Sequence, residues 1–184
     1  MKTLYFVRHC APDKTVREDR IRPLTEQGKA DAQRLTERFQ GVDVDRVVSS
    51  PYLRAVDTVQ GIAQMRELTV DTDADLRERT VGTWVEDFDT FARAQWSDLD
   101  YALPDGESLN AVMKRNLAAL ARLLAHPAET TVIGTHGTAL CTLIRAFDAD
   151  FGYDDFRRIQ DVMPWIVKFT FDGDRLLNWE TIDM

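Results

Sequence analysis

Apolar positions in this chain fall into short runs and helical stripes that follow one another in turn. Leu4, Tyr5, Phe6 and Val7 form a run cut off by Arg8 and His9, the pattern of a strand buried on both faces. The stretch from there to Pro23 is charged and without period, which predicts a loop. Thr25 suits an N-cap, and Gly28, Ala32, Leu35 and Phe39 recur at helical spacing until Gly41. Val47 and Val48 predict a second strand, closed by Ser49, Ser50 and Pro51. The helix after it carries Ala55, Val56, Val59, Ile62 and Ala63 on one stripe. Residues 68–70 predict a third short strand. Residues 83–106 mix acids with Trp84, Phe88, Phe91, Trp96 and Tyr101, and predict one short helix among loops. The clearest helix is expected over residues 107–125, with Leu109, Val112, Met113, Leu117, Leu120 and Leu124 as its apolar stripe. Residues 130–134 predict a strand that ends at Thr135, His136 and Gly137, and Leu140, Leu143 and Ile144 mark the helix that follows. Residues 165–171 and 176–182, joined by Asp172, Gly173 and Asp174, predict a hairpin. Strands alternating with helices predict an α/β fold, a three-layer α/β/α sandwich around a largely parallel central sheet, in one domain spanning residues 1–184.

Composition narrows the function classes. A chain of 184 residues with 44% hydrophobic and 29% charged positions suits a folded domain with a sizeable core. The balance of 23 Lys+Arg against 31 Asp+Glu, net −8, argues against nucleic acid or an anionic membrane as partner. No run approaches the ~18 apolar residues of a membrane span. The first apolar run is too short for a signal-peptide core, and Cys10 and Cys141 form no CxxC pair. A cytoplasmic protein is expected. Monomer and homodimer both stay open, since the C-terminal hairpin offers an edge for pairing.

The candidate chemistry lies at strand ends. His9 and His136 each follow an apolar run, and Arg54 follows the Ser49-Ser50-Pro51 stop early in a helix. In open α/β sheets ligands bind beyond the carboxyl ends of the strands. Arg8, His9, Arg54 and His136 can therefore reach one crevice. Two permanent cations and two imidazoles converging there describe an oxyanion pocket, most naturally for phosphate. Each residue alone has a plainer reading, Arg54 as a surface helix residue and each histidine as structural. It is their placement at three separate strand ends that favours a site. A metal site is not expected: His9, His126 and His136 are the only histidines, and no HxH or HExxH spacing occurs. His126, just before Pro127, reads as a helix cap.

These residues carry a resemblance. Arg8-His9 at the end of the first strand resembles the signature of the histidine phosphatase superfamily, the phosphoglycerate-mutase-like proteins. The likeness runs on through Leu24-Thr25-Glu26-Gln27-Gly28, Ser49-Ser50-Pro51-Tyr52-Leu53-Arg54-Ala55, and Leu76-Arg77-Glu78 with Gly82 and Trp84. It ends with Pro104-Asp105-Gly106-Glu107-Ser108 and Gly134-Thr135-His136-Gly137, in the family's order over most of the chain. The resemblance implies roles. His9 is the nucleophile that becomes phosphorylated; Arg8, Arg54, His136 and Gly137 bind the phosphoryl oxygens. Glu78 protonates the leaving oxygen and then activates water. Residues 83–106 form a short lid insertion. No cofactor and no metal are implied, and the partner is a small phosphorylated substrate. Neighbouring cations should keep His9 neutral, as a nucleophile must be, and should offset charge on the transferring phosphoryl group. A bound phosphate dianion should favour the acid form of Glu78. Read without the family, Glu78 is a solvated carboxylate flanked by Arg77 and Arg79. Backbone N–H groups near Thr138, at a helix start, are a further candidate contact for the anion.

The sequence departs from the family at two places. Cys10 stands where the family usually has glycine, and Ala11 where many relatives place an acidic or amide side chain. Cys10 is either tolerated as a small residue, a redox-sensitive thiol favoured as thiolate by nearby cations, or a lesion that leaves a phosphometabolite-binding protein. The family's mutases carry a longer insertion after the acidic residue. The lid here holds Glu86, Asp87, Asp89, Asp98, Asp100 and Asp105 against Arg93, which should repel a bisphosphate. A metal-independent phosphomonoester hydrolase is therefore expected, with a mutase-type phosphoryl transferase and a compact phosphohistidine or protein phosphatase as alternatives. The lid aromatics either face a ring-bearing or cationic substrate or pack the lid down.

Overall fold

The computed structural model describes residues 1–184. The first half of the chain holds β1 (Lys2–Arg8), α1 (Glu26–Arg38), β2 (Arg46–Ser49), α2 (Leu53–Met65), β3 (Val70–Thr72) and α3 (Phe88–Ser97). The second half holds α4 (Leu109–Ala125), β4 (Thr130–Thr135), α5 (Gly137–Phe147), α6 (Tyr153–Ile159), β5 (Trp165–Asp172) and β6 (Arg175–Ile182). The strands make one sheet in the order β3-β2-β4-β1-β5-β6. β3, β2, β4 and β1 run parallel, while β5 is antiparallel to β1 and β6 to β5.

Strand alternation builds the layers. Leu4 and Phe6 of β1 face a core shared with Leu120 of α4, Leu143 and Ile144 of α5, and Phe156 of α6. Tyr5 and Val7 face the opposite core, with Leu35 of α1 and Val59 and Ile62 of α2. Because successive residues point to opposite faces, every strand but β3 feeds both cores. The result is the expected three-layer α/β/α sandwich with a mostly parallel sheet. Thr25 caps α1 by accepting from the Gly28 N–H (3.0 Å). Ser108 caps α4 and Asp87 caps α3 in the same way.

Three expectations are corrected. The third strand is β3 at Val70–Thr72, not residues 68–70: the Leu68 N–H closes α2 by donating to Ala63 O (2.9 Å), and pairing with β2 starts at Val70. α4 starts at Leu109 rather than Glu107, and its inner face is turned relative to the expected stripe. Leu117 is exposed, while Arg115 and Asn116 are buried beside Ala119 and Leu123. The cause is polar: Arg115 is drawn inward by partners described below. α6 was not expected, and its seven residues bury only Phe156, too little to give a period. No helix is long and apolar enough to cross a membrane.

Candidate active site

Strand register collects the motifs. Arg8 of β1 pairs with Thr135 of β4, so His9 and His136 leave adjacent strands side by side. Ser49 of β2 pairs with Gly134, which sets Ser50 next to them. The ladder runs one step further, His9 N donating to Thr135 O (3.0 Å) and Ser50 N to Gly134 O (2.8 Å). A cavity of about 1020 Å³ opens over these ends, with Arg8, His9, Arg54, Glu78 and Gly137 on its wall.

His9 is 6% exposed, and its Nδ1 lies 2.7 Å from the Cys10 carbonyl. A carbonyl only accepts, so Nδ1 carries the hydrogen and Nε2 keeps its lone pair. Burial first, then the charges of Arg54 and Arg8, push the His9 pKa down to about 3. Cations were expected to keep this ring neutral; they do, but desolvation is the larger cause.

His136 is wholly buried, edge to face with His9 at 5.3 Å between centroids and with Tyr52 at 5.2 Å. It stands next to His9 rather than on the cavity wall. Burial, then Arg54 and His9, hold its pKa well below the ordinary value. Ser50 Oγ accepts from the Tyr52 N–H (3.3 Å), and the one acceptor within reach of its own hydrogen is His136 Nε2 at 2.8 Å. The hydrogen of His136 therefore sits on Nδ1, and that atom has no partner. Arg8 is in a like state. Its Nη1 donates to the carbonyls of Ile159 (2.7 Å) and Val162 (3.1 Å), while its buried Nε has no partner. Gly137 makes that placement possible, since a Cβ there would lie 3.0 Å from Arg8 Nε. Buried donors without acceptors are costly, and two of them flank the same imidazole.

Arg54, 3% exposed, is not a free cation. It donates to the Asp19 carbonyl (2.6 Å) and pairs with Asp19 Oδ1 (3.1 Å), so the first loop partly offsets its charge.

Glu78 is half-buried on the cavity wall and makes no ion pair with Arg77 or Arg79. Its Oε1 accepts from the N–H groups of Arg79 (2.8 Å) and Ala139 (3.1 Å), and Oε2 from Thr138 (3.1 Å). The carboxylate thus sits on the N-terminus of α5. The amides near Thr138, expected as anion contacts, are taken by Glu78. Arg77 instead pairs with Glu107 (2.8 Å).

Sequence reasoning missed the clamp behind Glu78. Glu107 meets Arg115 through two bonds, Nε to Oε1 (2.8 Å) and Nη2 to Oε2 (3.0 Å). Arg115 in turn donates to the carbonyls of Asp75 (2.8 Å), Arg77 (2.7 Å) and Glu78 (3.2 Å). Burial works against the charged form of Glu107, but bonds from Arg115 and Thr80 and the charges of Arg115 and Arg77 together hold its pKa down. Arg79, Lys14, Arg17 and Arg22 also line the cavity and were not singled out. For Arg79 the signal was its adjacency to Glu78.

The geometry supports neither the redox alternative for Cys10 nor the expected acidic lid. Cys10 is fully buried, off the cavity wall, with a backbone N–H that donates to Thr58 Oγ1 (2.9 Å). Burial pushes its thiol up to about 12, so the nearby cations do not produce a thiolate. The expected acidic barrier in the lid is also absent. Glu86, Asp87, Asp89, Asp98, Asp100 and Asp105 all lie off the wall, which takes Thr83, Trp84, Val85 and Phe88 from that segment. Asp87 is a helix cap, Asp89 pairs with Arg157 (3.3 Å), and Asp100 accepts from Asn110 (2.8 Å). The lid aromatics divide: Phe91 and Trp96 pack downward, while Trp84 stands 87% exposed at the cavity mouth.

Comparison with known proteins gives consistent matches. The model of the histidine phosphatase superfamily (branch 1) matches residues 4–180. The "Probable phosphoglycerate mutase GpmB" of Citrobacter koseri is 30% identical over 158 residues, covering 78% of this chain and 74% of the relative. The solved structure of Bacillus stearothermophilus YhfR superposes with a TM-score of 0.76 at 29% identity, covering 96% of this chain and 94% of that one. A mycobacterial glucosyl-3-phosphoglycerate phosphatase with inorganic phosphate has a TM-score of 0.77 at 21% identity, covering 100% of this chain and 96% of that one, a likeness of fold.

Proposed function

This chain belongs to the histidine phosphatase superfamily, branch 1, and from that premise we propose that it hydrolyses small phosphomonoesters through a phosphohistidine on His9, without a metal. One observation carries the reading: a neutral imidazole with a free Nε2 is flanked by two buried, unpartnered donors, Arg8 Nε and His136 Nδ1. A phosphoryl oxygen seated on His9 gives both donors an acceptor.

His9 Nε2 attacks phosphorus, and the bond from phosphorus to the ester oxygen breaks. Glu78 gives its proton to that oxygen, and the alcohol leaves. The His9 ring becomes cationic on forming the P–N bond, and the Cys10 carbonyl at Nδ1 stabilises that charge. Arg8, Arg54, His136 Nδ1 and the Gly137 N–H hold the phosphoryl oxygens, where electrostatic stabilisation counts most. Water then attacks phosphorus while the Glu78 carboxylate takes its proton. The P–N bond breaks, neutral His9 returns and inorganic phosphate leaves.

Transfer to a second alcohol, as in a mutase, shares every step but the last. The name of the Citrobacter koseri relative keeps it in view, and the lid charges do not oppose it. Hydrolysis is favoured because the insertion after Glu78 is shorter than the one the family's mutases carry.

The test is release of inorganic phosphate from p-nitrophenyl phosphate, with EDTA present, by wild type and His9→Ala. The expected result is turnover that is lost in the variant, with acid-labile phosphate on the wild-type chain in a quench. Turnover in His9→Ala, or activity abolished by EDTA and restored by a divalent ion, overturns the mechanism.

A further inference from the structure

A carboxylate rests on one of the two arginines assigned to the phosphoryl oxygens. Six of the residues on the cavity wall are Arg or Lys, against three acids, Asp19, Glu78 and Asp161. Glu78 is held by the amides at the start of α5. Asp19 pairs directly with Arg54. Arg8, the other permanent cation at the phosphoryl end, donates to backbone carbonyls instead. A phosphoryl group and the Asp19 side chain are therefore rivals for one guanidinium.

The contact has a firm part and a loose part. Arg54 Nη1 donates to the Asp19 backbone carbonyl at 2.6 Å, while the carboxylate oxygens lie at 3.1 Å from Nη1 and 3.3 Å from Nη2. The Arg54 side chain is 4% exposed and that of Asp19 is 44% exposed, so a buried cation meets a partner that is half in water. The same carboxylate has a second cation, because Arg22 Nη1 donates to Asp19 Oδ1 at 2.9 Å. Arg22 is itself anchored in the loop, donating to the carbonyls of Val16 (2.8 Å) and Arg17 (3.2 Å). The Leu53 N–H ties that loop to α2 through the Arg20 carbonyl (2.9 Å). On leaving Arg54, the carboxylate keeps Arg22 and water, and the backbone ties persist. An ion pair this open to water is weak, so a phosphoryl group that brings more charge to Arg54 displaces it.

We propose that Asp19 is an exchangeable counter-ion of Arg54. It holds the guanidinium in the empty pocket, yields it to the phosphoryl group, and takes it back as inorganic phosphate departs. This rests on the reading of the pocket as a phosphoryl site. The advantage lies in release. Without Asp19, a buried guanidinium among so many cations holds substrate and product more tightly alike, and uniform tightening of that kind does not raise kcat. Asp19 lowers the affinity for free phosphate while leaving His9 and Glu78 untouched. It is a positioning residue, since it acts through Arg54.

Calorimetric titration with inorganic phosphate compares wild type with Asp19→Asn, Asp19→Glu and Asp161→Asn. Asp19→Asn keeps the shape, an acceptor oxygen and the backbone carbonyl but removes the charge. It should bind phosphate roughly 10-fold tighter, the scale of one nearby charge in a partly solvated site. Asp19→Glu keeps the charge and should stay near wild type. Asp161→Asn removes one charge from the same wall without freeing Arg54, and should change affinity by less than about threefold. In turnover of p-nitrophenyl phosphate, Asp19→Asn should lower KM and the Ki of phosphate together, with no gain in kcat. A merely structural role predicts the opposite sign, because a loosened loop weakens binding. Unchanged or weaker phosphate binding in Asp19→Asn overturns the proposal. Equal gains in the two Asn variants do so as well, since they would reflect the general field of the wall. A wild type that binds phosphate but hydrolyses no ester overturns the hydrolase reading instead, and the calorimetric comparison still decides the role of Asp19.

Discussion

The rings of His9 and His136 meet edge to face with centroids 5.3 Å apart, and each imidazole bonds to a neutral oxygen rather than a carboxylate. Both are therefore buried in the neutral form, and folding must exclude protons from them. In the unfolded chain each titrates near its ordinary value of about 6.5. In the folded chain His9 does so at about 3, and His136 is also well below 6.5. Below about pH 6.5 the unfolded chain binds protons that the folded one does not. Stability should thus fall with falling pH, by up to about 1.4 kcal/mol per pH unit for each ring, and the penalty is absent above about 6.5. Denaturant unfolding between pH 7 and 5 reads this slope. His9→Asn and His136→Asn should each flatten it; a slope unchanged in both variants counts against neutral burial.

Cys10 replaces a glycine of the family pattern without the strain that such a swap suggests. It is absent from the non-glycine residues with positive φ, which are Glu67 and Asp105. Its side chain fills space near Thr58 of α2, away from the cavity. Peroxide at concentrations that oxidise exposed thiols should leave wild-type turnover unchanged over minutes. Cys10→Gly should keep kcat within about threefold while losing about 1–2 kcal/mol of stability, from a vacated site and a freer backbone. Rapid loss of activity in peroxide that Cys10→Gly escapes would restore a redox role.

The Glu107–Arg115 pair is structural in location and kinetic in effect. Arg115 holds three carbonyls, those of Asp75, Arg77 and Glu78, in the turn from which the Glu78 side chain departs. Arg115→Ala leaves Glu107 and those carbonyls without their donors, which should cost about 3–5 kcal/mol. Arg115→Lys should not restore activity, because one ammonium cannot reproduce both bonds to Glu107 and the carbonyl contacts. The check is thermal unfolding together with kcat on an alkyl phosphate. An Arg115→Lys enzyme with wild-type kcat would show that Glu78 holds its place without the clamp.

Much of the sheet was readable because short apolar runs that stop at Arg8-His9 and at Thr135-His136 leave few choices besides a buried parallel strand. The convergence of His9, Arg54 and His136 followed from those ends. What stayed hidden was polar and long-range. The inward turn of α4 depends on Glu107 meeting Arg115, the anchoring of Glu78 depends on amides of Thr138 and Ala139 some sixty positions on, and the counter-charge on Arg54 comes from Asp19 in a stretch without period. Charge counted along residues 83–106 misled for the same reason: net charge does not tell which carboxylates face a cavity and which cap helices.

Glu78 ties the start of α5 to the reaction, and its two duties can be separated by choice of leaving group. Its oxygens accept three backbone N–H bonds. In Glu78→Gln one amide oxygen can still accept, but the NH2 group would face a backbone donor, so a modest loss of stability is expected whatever the chemistry. The kinetic loss should depend on the ester. An alkyl phosphate expels a basic alkoxide and needs the proton, so kcat/KM should fall roughly 10²- to 10⁴-fold. p-Nitrophenyl phosphate expels a stable phenolate and should lose far less in the phosphorylation step. Its breakdown of phosphohistidine still needs a base, so the variant should release a burst of nitrophenolate and then stall as phosphoenzyme. Rapid-quench kinetics on both esters decides the matter. Equal losses on the two esters with no burst would leave Glu78 as a helix anchor, and the proton donor would have to be sought elsewhere on the cavity wall.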